Sequence, residues 1–133
     1  MRSAIIGLGT IGRVHAELLA SRGEEIVALC DIDPRAAQNA KEKWAKSAVI
    51  YSDYKEMLTK EMPDVVHICT PHYLHADMVV FALGKNINVL CEKPLCMNRE
   101  EIDAILKAEE NSKAQLAVCF QNRFLSDTLD LST

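Results

Sequence analysis

The sequence has no run of lysine and arginine. Its 15 basic residues are outnumbered by 19 acidic ones, giving a formal charge of −4. With no basic stripe, nucleic acid is not expected as a partner. No apolar run approaches the length of a membrane span, so no membrane partner is expected either. A signal peptide fits poorly, because glycines interrupt the N-terminal apolar stretch within a few residues and that stretch is needed as a strand. The five cysteines are an odd number without zinc-like pairing and read as reduced thiols in a cytoplasm. His, Cys and acidic residues show no metal-ligand spacing, so no metal is expected. Repeats, linkers and low-complexity segments are also lacking, and 133 residues suit one domain.

What is present begins at the N-terminus. The apolar run Ala4-Ile5-Ile6 stops at Gly7-Leu8-Gly9-Thr10-Ile11-Gly12, and an amphipathic stretch follows. This is G-x-G-x-x-G between a strand and a helix, the context in which the motif signals a dinucleotide. The first glycine permits a tight turn, the second a close approach to a pyrophosphate, and the third close packing of helix on strand. The free amides at the helix start favour an anion there. Asp31 closes the next strand at a distance of roughly twenty residues, as the fingerprint requires.

Strands are expected over 2–6, 26–30, 48–51, 65–69, 87–91 and 116–120. Between them lie helical patterns. The first turns Ile11, Val14, Leu18 and Leu19 inward and stops at Gly23. The second opens at Asp33-Pro34, a cap followed by proline at the first helical position, with Ala37, Ala40 and Trp44 inward. Asp53 with Glu56 and Asn98 with Glu101 have capping-box spacing. A helix with Ala76, Val79, Val80 and Leu83 on one face is closed by Gly84, and the last helix turns Ile102, Ile105 and Leu106 inward. The alternation predicts an α/β fold: a doubly wound parallel sheet of the Rossmann type, with six strands in the order 3-2-1-4-5-6.

Ligands of such sheets bind beyond the carboxyl ends of the strands. The residues there are Gly7 to Gly12, Asp31, Cys69 to His75, Cys91 to Pro94, and Gln121 to Arg123. Asp31 would accept hydrogen bonds from the adenosine ribose and repel a 2′-phosphate, which favours NAD over NADP. The alternative is that Asp31 only caps the Asp33-Pro34 turn, and Arg35 keeps NADP open. Lys93 beside a cofactor can donate a proton or polarise an alcohol oxygen, although by spacing alone Glu92-Lys93 reads as a solvated pair. His67 reads as a neutral core residue within a strand, and His15 has no evident role. His72 and His75 start a helix on the ligand edge, where they either meet the cofactor or serve structure. Cys30, Cys69, Cys91 and Cys119 fall at strand ends and read as small buried apolar residues rather than a thiol cluster.

Four segments in this order, GLGTIGRVH, CTPHYLHADM, VLCEKPLCMN and QNRF, resemble the N-terminal half of the Gfo/Idh/MocA family, the relatives of glucose-fructose oxidoreductase and inositol dehydrogenase. The EKP motif is the most specific. The resemblance implies that Gly7, Gly9, Thr10, Ile11 and Gly12 hold the pyrophosphate and Asp31 the adenosine ribose. It implies that Thr70, Pro71 and His75 line the cofactor, and that Glu92 contacts the nicotinamide ribose. Lys93, followed by Pro94, would stand beside nicotinamide and the substrate hydroxyl as the catalytic residue, with Gln121, Asn122 and Arg123 nearby. The implied reaction is hydride transfer between NAD(P) and a sugar, cyclitol or related polyol.

The resemblance covers 1–124 as a dinucleotide-binding domain and leaves 125–133 as a short tail. The family's C-terminal substrate domain, with its acid/base histidine, has no counterpart here. A fragment, a truncated product and one half of a split enzyme therefore stay open, as does a non-catalytic nucleotide-binding or redox-sensing module. These 133 residues alone are expected to bind NAD without turnover and to form a homo-oligomer.

Overall fold

The computed structural model of the chain describes residues 1–71, 74–92 and 98–119. Six strands and five helices alternate within them. They are β1 (Arg2–Ile6), α1 (Thr10–Ser21), β2 (Glu25–Cys30), α2 (Pro34–Trp44), β3 (Val49–Tyr51) and α3 (Tyr54–Glu61), then β4 (Val65–Ile68), α4 (His75–Gly84), β5 (Asn88–Glu92), α5 (Arg99–Glu110) and β6 (Leu116–Cys119). All neighbours pair in parallel, in the order β3-β2-β1-β4-β5-β6. This is the expected doubly wound sheet. Its strand order reverses between β1 and β4, which leaves a crevice at their carboxyl ends.

Alternate strand residues feed two cores, because successive side chains point to opposite faces. Ala4, Ile6, Ala28, Val66, Ile68 and Val89 pack with the buried residues of α3, α4 and α5. Ile5, Leu29, Leu90 and Ala117 pack with Ala16 and Leu19 of α1 and Ala40 of α2. Both faces are covered, so the central strands are mostly apolar, with Ser3 of β1 and His67 of β4 as buried polar residues. A fully buried leucine or isoleucine contributes about 1.5–3 kcal/mol, and Ile5, Leu29, Ile68 and Leu90 are all fully buried.

The helix ends follow local chemistry. Asp33 accepts from the Arg35 N–H at 2.9 Å, Asp53 from the Lys55 N–H at 2.9 Å, and Asn98 from the Glu101 N–H at 2.8 Å. Each bond satisfies an amide that the first helical turn leaves without a partner. At the end of α1, Gly23 has φ +73. Its N–H reaches the Ala20 carbonyl at 3.1 Å and the Glu24 N–H reaches that of Leu19 at 3.0 Å, the paired closure of a Schellman turn.

Two sequence expectations need correction. The buried stripe of α1 is Gly12, His15, Ala16 and Leu19, whereas Val14 is 57% exposed. The glycine and the histidine were not counted as inward residues, and the true stripe is rotated accordingly. In α5 only Ile105 is buried; Ile102 and Leu106 are 44% and 55% exposed. α4 ends at Gly84, as expected. The left-handed residue beyond it is Asn86, φ +61, a conformation asparagine tolerates better than most residues, and its Oδ1 accepts from the Lys113 N–H at 2.9 Å. The Asn86 and Ile87 N–H groups then bond the Leu83 and Ala82 carbonyls at 2.9 and 3.0 Å. The tail 125–133 lies outside the described residues.

Candidate functional site

A cleft of about 660 Å³ opens at the carboxyl ends of β1, β2, β3 and β4. From the first strand-to-helix junction come Gly7, Gly9, Thr10 and Ile11. The end of β2 adds Asp31 and Ile32, and Ser52 and Tyr54 follow β3. The far wall is Thr70, Pro71, Leu74, His75 and Met78.

The three glycines of the loop meet different surroundings. Gly7 has φ +91, and a Cβ there would stand 3.0 Å from the Cys69 carbonyl and from the Thr70 methyl. A Cβ on Gly12 would stand 1.8 Å from the Gly7 carbonyl oxygen, so α1 starts as close to its strand as a backbone allows. A Cβ on Gly9 would meet nothing within 4 Å, because Gly9 borders the open cleft. Gly9 is also the N-cap of α1, and no side chain bonds there. The first and third glycines are thus demanded by the fold. The second leaves backbone bare toward the cleft, where an anion can approach the helix start.

Asp31 extends this edge. Its Oδ2 accepts from the Leu8 N–H at 2.7 Å, and its Oδ1 from the Asp33 N–H at 2.8 Å. The bond to Asp33 is the turn contact weighed from sequence; the bond into the glycine loop was not foreseen. Each carboxylate oxygen has a second lone pair for a further donor. Arg35 is exposed and does not line the cleft.

On the far wall, the buried His75 ring bonds the Thr70 carbonyl through Nε2, and the Thr70 hydroxyl donates to the Met78 sulfur at 3.4 Å. These contacts hold the start of α4 against the end of β4.

The glycine cradle, the helix start beside it and an acidic residue at the end of β2 fit a dinucleotide. The comparisons agree. The model of a family described as "Oxidoreductase family, NAD-binding Rossmann fold", GFO_IDH_MocA, matches residues 1–120. The chain belongs to this family. It is 36% identical over 127 residues to an inositol 2-dehydrogenase of Salmonella typhimurium, covering 93% of this chain and 38% of that one. It is 35% identical over 133 residues to a D-glucoside 3-dehydrogenase of Escherichia coli, covering 98% and 38%. In structure it is similar to a myo-inositol dehydrogenase from Lactobacillus casei in complex with NAD(H) and myo-inositol, with a TM-score of 0.80 and 29% identity over 87% of this chain and 36% of that one. The chain thus spans well under half the length of the relatives it matches.

Within this family domain, the cleft gathers Gly7, Gly9, Thr10, Ile11, Asp31, Thr70, Pro71 and His75 of the residues expected from sequence. Gly12 packs beneath rather than lining it. Glu92 ends β5, two strands from β1, and its side chain is not among those described. His72, Lys93, Pro94, Gln121, Asn122 and Arg123 lie outside the described residues.

Sequence reasoning missed Ile32, Ser52, Tyr54 and Met78 as lining residues. The strand-end rule, had it been applied after β3 as well, would have found Ser52 and Tyr54. Met78 lies three residues beyond His75, on the same helix face.

His15 does have a role. It faces His67 across the core, Nδ1 to Nδ1 at 2.9 Å, with both rings buried and set edge to face. One ring's Nδ1–H must donate to the other's lone pair. His67 is a neutral core residue as expected, since burial and then the neighbouring His15 lower its pKa to about 3. The contact ties α1 to β4 under the cleft floor. Cys30, Cys69 and Cys91 are thiols, and burial first, then Asp31, pushes the Cys30 thiol up to about 12, which keeps it protonated and inert. Among the described residues no group of three or more His, Cys, Asp or Glu is placed to hold a metal ion, and no helix is long and apolar enough to cross a membrane.

Proposed function

We propose that this chain is the cofactor-binding part of an enzyme that passes hydride between NAD and a polyol of the inositol or sugar class. The observation that carries the reading is the junction after β1. Gly12 has no room for a side chain, Gly9 faces open space, and the cleft that Gly9 borders is also lined by Asp31. In this reading the amides of the loop hold the pyrophosphate and Asp31 accepts from the adenosine ribose. Thr70, Pro71 and His75 form the opposite wall. When bound, the nicotinamide supplies the hydride acceptor.

Lys93 then stands beside the substrate hydroxyl, where an ammonium group polarises the oxygen or moves its proton. Glu92 contacts the nicotinamide ribose, and Pro94, Gln121, Asn122 and Arg123 complete that end. Support for these assignments is the EKP and QNRF motifs and the names of the relatives, which include inositol and glucoside dehydrogenases. The reading places the protein in a cytoplasm as a homo-oligomer. Its thiols support the first, and the exposed Ile102 and Leu106 of α5 the second.

Calorimetric titration with NAD and NADP tests the proposal. NAD is expected to bind tighter, because the Asp31 carboxylate opposes a 2′-phosphate. Equal or tighter binding of NADP contradicts the role given to Asp31, and absence of binding by either contradicts the cofactor reading.

A further inference from the structure

The geometry points to a second task for Asp31: its carboxylate fastens the glycine-rich loop, and so sets the phosphate cradle as well as accepting from the ribose. This inference rests on the dinucleotide reading above. The first residue of the loop is fixed by its backbone, the Gly7 N–H bonding the Cys30 carbonyl at 2.8 Å. Beyond it, no side chain caps α1 at Gly9. Asp31 bridges two segments. Its Oδ2 takes the Leu8 N–H at 2.7 Å, and its Oδ1 takes the Asp33 N–H at 2.8 Å, which fixes the carboxylate from the opposite side. Both bonds are short and charge-assisted, the stronger kind. Leu8 lies directly before Gly9 and Thr10, and its own side chain is buried in the core shared with Ile5 and Leu29. The loop is thus pinned on two sides, by the Leu8 side chain below and by Asp31 at the Leu8 amide.

A consequence follows for cofactor choice. Replacing Asp31 by a small neutral residue removes the repulsion of a 2′-phosphate and also releases the loop amide. The gain in NADP affinity is therefore smaller than charge removal alone would give, and ligands that never touch Asp31 through a ribose hydroxyl also bind more weakly.

Two measurements separate this positioning role from direct ribose contact. In the first, hydrogen exchange at the Leu8 amide is followed without ligand in the unmutated chain and in Asp31→Ala. Exchange is expected to quicken at least about tenfold in the variant, the order of one charged hydrogen bond; equal exchange overturns the inference. In the second, ADP and 2′,3′-dideoxy-ADP are titrated into both proteins. Asp31→Ala is expected to weaken both ligands, the dideoxy compound by about tenfold. Unchanged affinity for the dideoxy compound, with only ADP weakened, overturns it and leaves the ribose contact standing. If the unmutated chain binds neither ADP nor NAD, the dinucleotide reading falls and the cofactor part of the inference with it, while the exchange experiment judges the Leu8 fastening by itself. Should Asp31→Ala show no cooperative melt, Asp31→Leu, which keeps the side-chain shape and has no acceptor, is judged by the same criteria.

Discussion

Two strand-to-helix junctions meet where the sheet order reverses, and they are built in opposite ways. The junction from β1 to α1 closes by omitting side chains. Gly12 lets the helix rest on the Gly7 carbonyl, and Gly7 lets the chain pass against Cys69 and Thr70. The junction from β4 to α4 closes by adding them, with the His75 ring on the Thr70 carbonyl and the Thr70 hydroxyl on Met78. The first presents bare backbone to the cleft and the second presents side chains. A dinucleotide needs both: amides for its phosphates and a shaped wall for the rest.

The comparison predicts that the two junctions fail differently. Gly12→Ala should have the largest effect. A methyl group 1.8 Å from a carbonyl oxygen cannot be absorbed by a rotamer change, so the helix must lift. The expected loss is about 3 kcal/mol or more, read as a fall in the urea midpoint, together with loss of NAD binding. A midpoint close to that of the unmutated protein would show that the junction has slack.

His75→Ala should come next. It leaves the Thr70 carbonyl without its imidazole donor and opens space beside Met78, at a cost of about 2 kcal/mol. Unlike the glycine change, it should leave the exchange rates of the Gly9 and Thr10 amides unaltered.

The His15–His67 contact joins the two junctions from below, so acid should loosen both together. His67 titrates near 3 in the folded protein against an ordinary 6.5. Between those values the unfolded chain takes up a proton that the folded one refuses, so stability is full above about pH 6.5 and falls as pH falls. The slope is at most about 1.4 kcal/mol per pH unit. Urea midpoints from pH 7 to 5, mostly above the carboxylate range, should show this decline, and His67→Gln should flatten it. Equal slopes in the two proteins would contradict the assignment.

Gly9→Ala should have the smallest effect on stability, within about 1 kcal/mol as for a changed N-cap. Binding should suffer far more, because the added methyl points where the phosphates would lie. A Gly9→Ala protein that binds NAD normally would break the distinction between the glycine that serves the ligand and the two that serve the fold.

The difference between the junctions also explains what the sequence made legible. Glycine spacing is a direct record of backbone crowding, so the first junction and its helix could be read from Gly7, Gly9 and Gly12. Strand limits and sheet order followed from apolar runs that must be covered on both faces. Helix faces were less legible, because His15 and Gly12 are buried while Val14 is not, and polarity alone gives the opposite assignment. The contacts within the second junction, His75 on Thr70 and Thr70 on Met78, were not readable from residue types. The strand-end rule gives the place of Thr70, Pro71 and His75 but only the resemblance gives their role, and Met78 and Tyr54 were missed because their place in the cleft depends on how α3 and α4 pack. The hydrogen bond from Leu8 to Asp31 was equally hidden, since the two are 23 residues apart.

The central claim is that a dinucleotide lies across these two junctions. Titration of the ¹⁵N-labelled chain with NAD, followed by amide resonances, tests it most directly. The account predicts saturable shifts at Gly7, Gly9, Thr10, Ile11, Gly12, Asp31 and Thr70, with Gly23, Asp64 and Asn86 at the opposite edge unmoved. Shifts concentrated at that opposite edge, or no shifts at millimolar NAD, would contradict it.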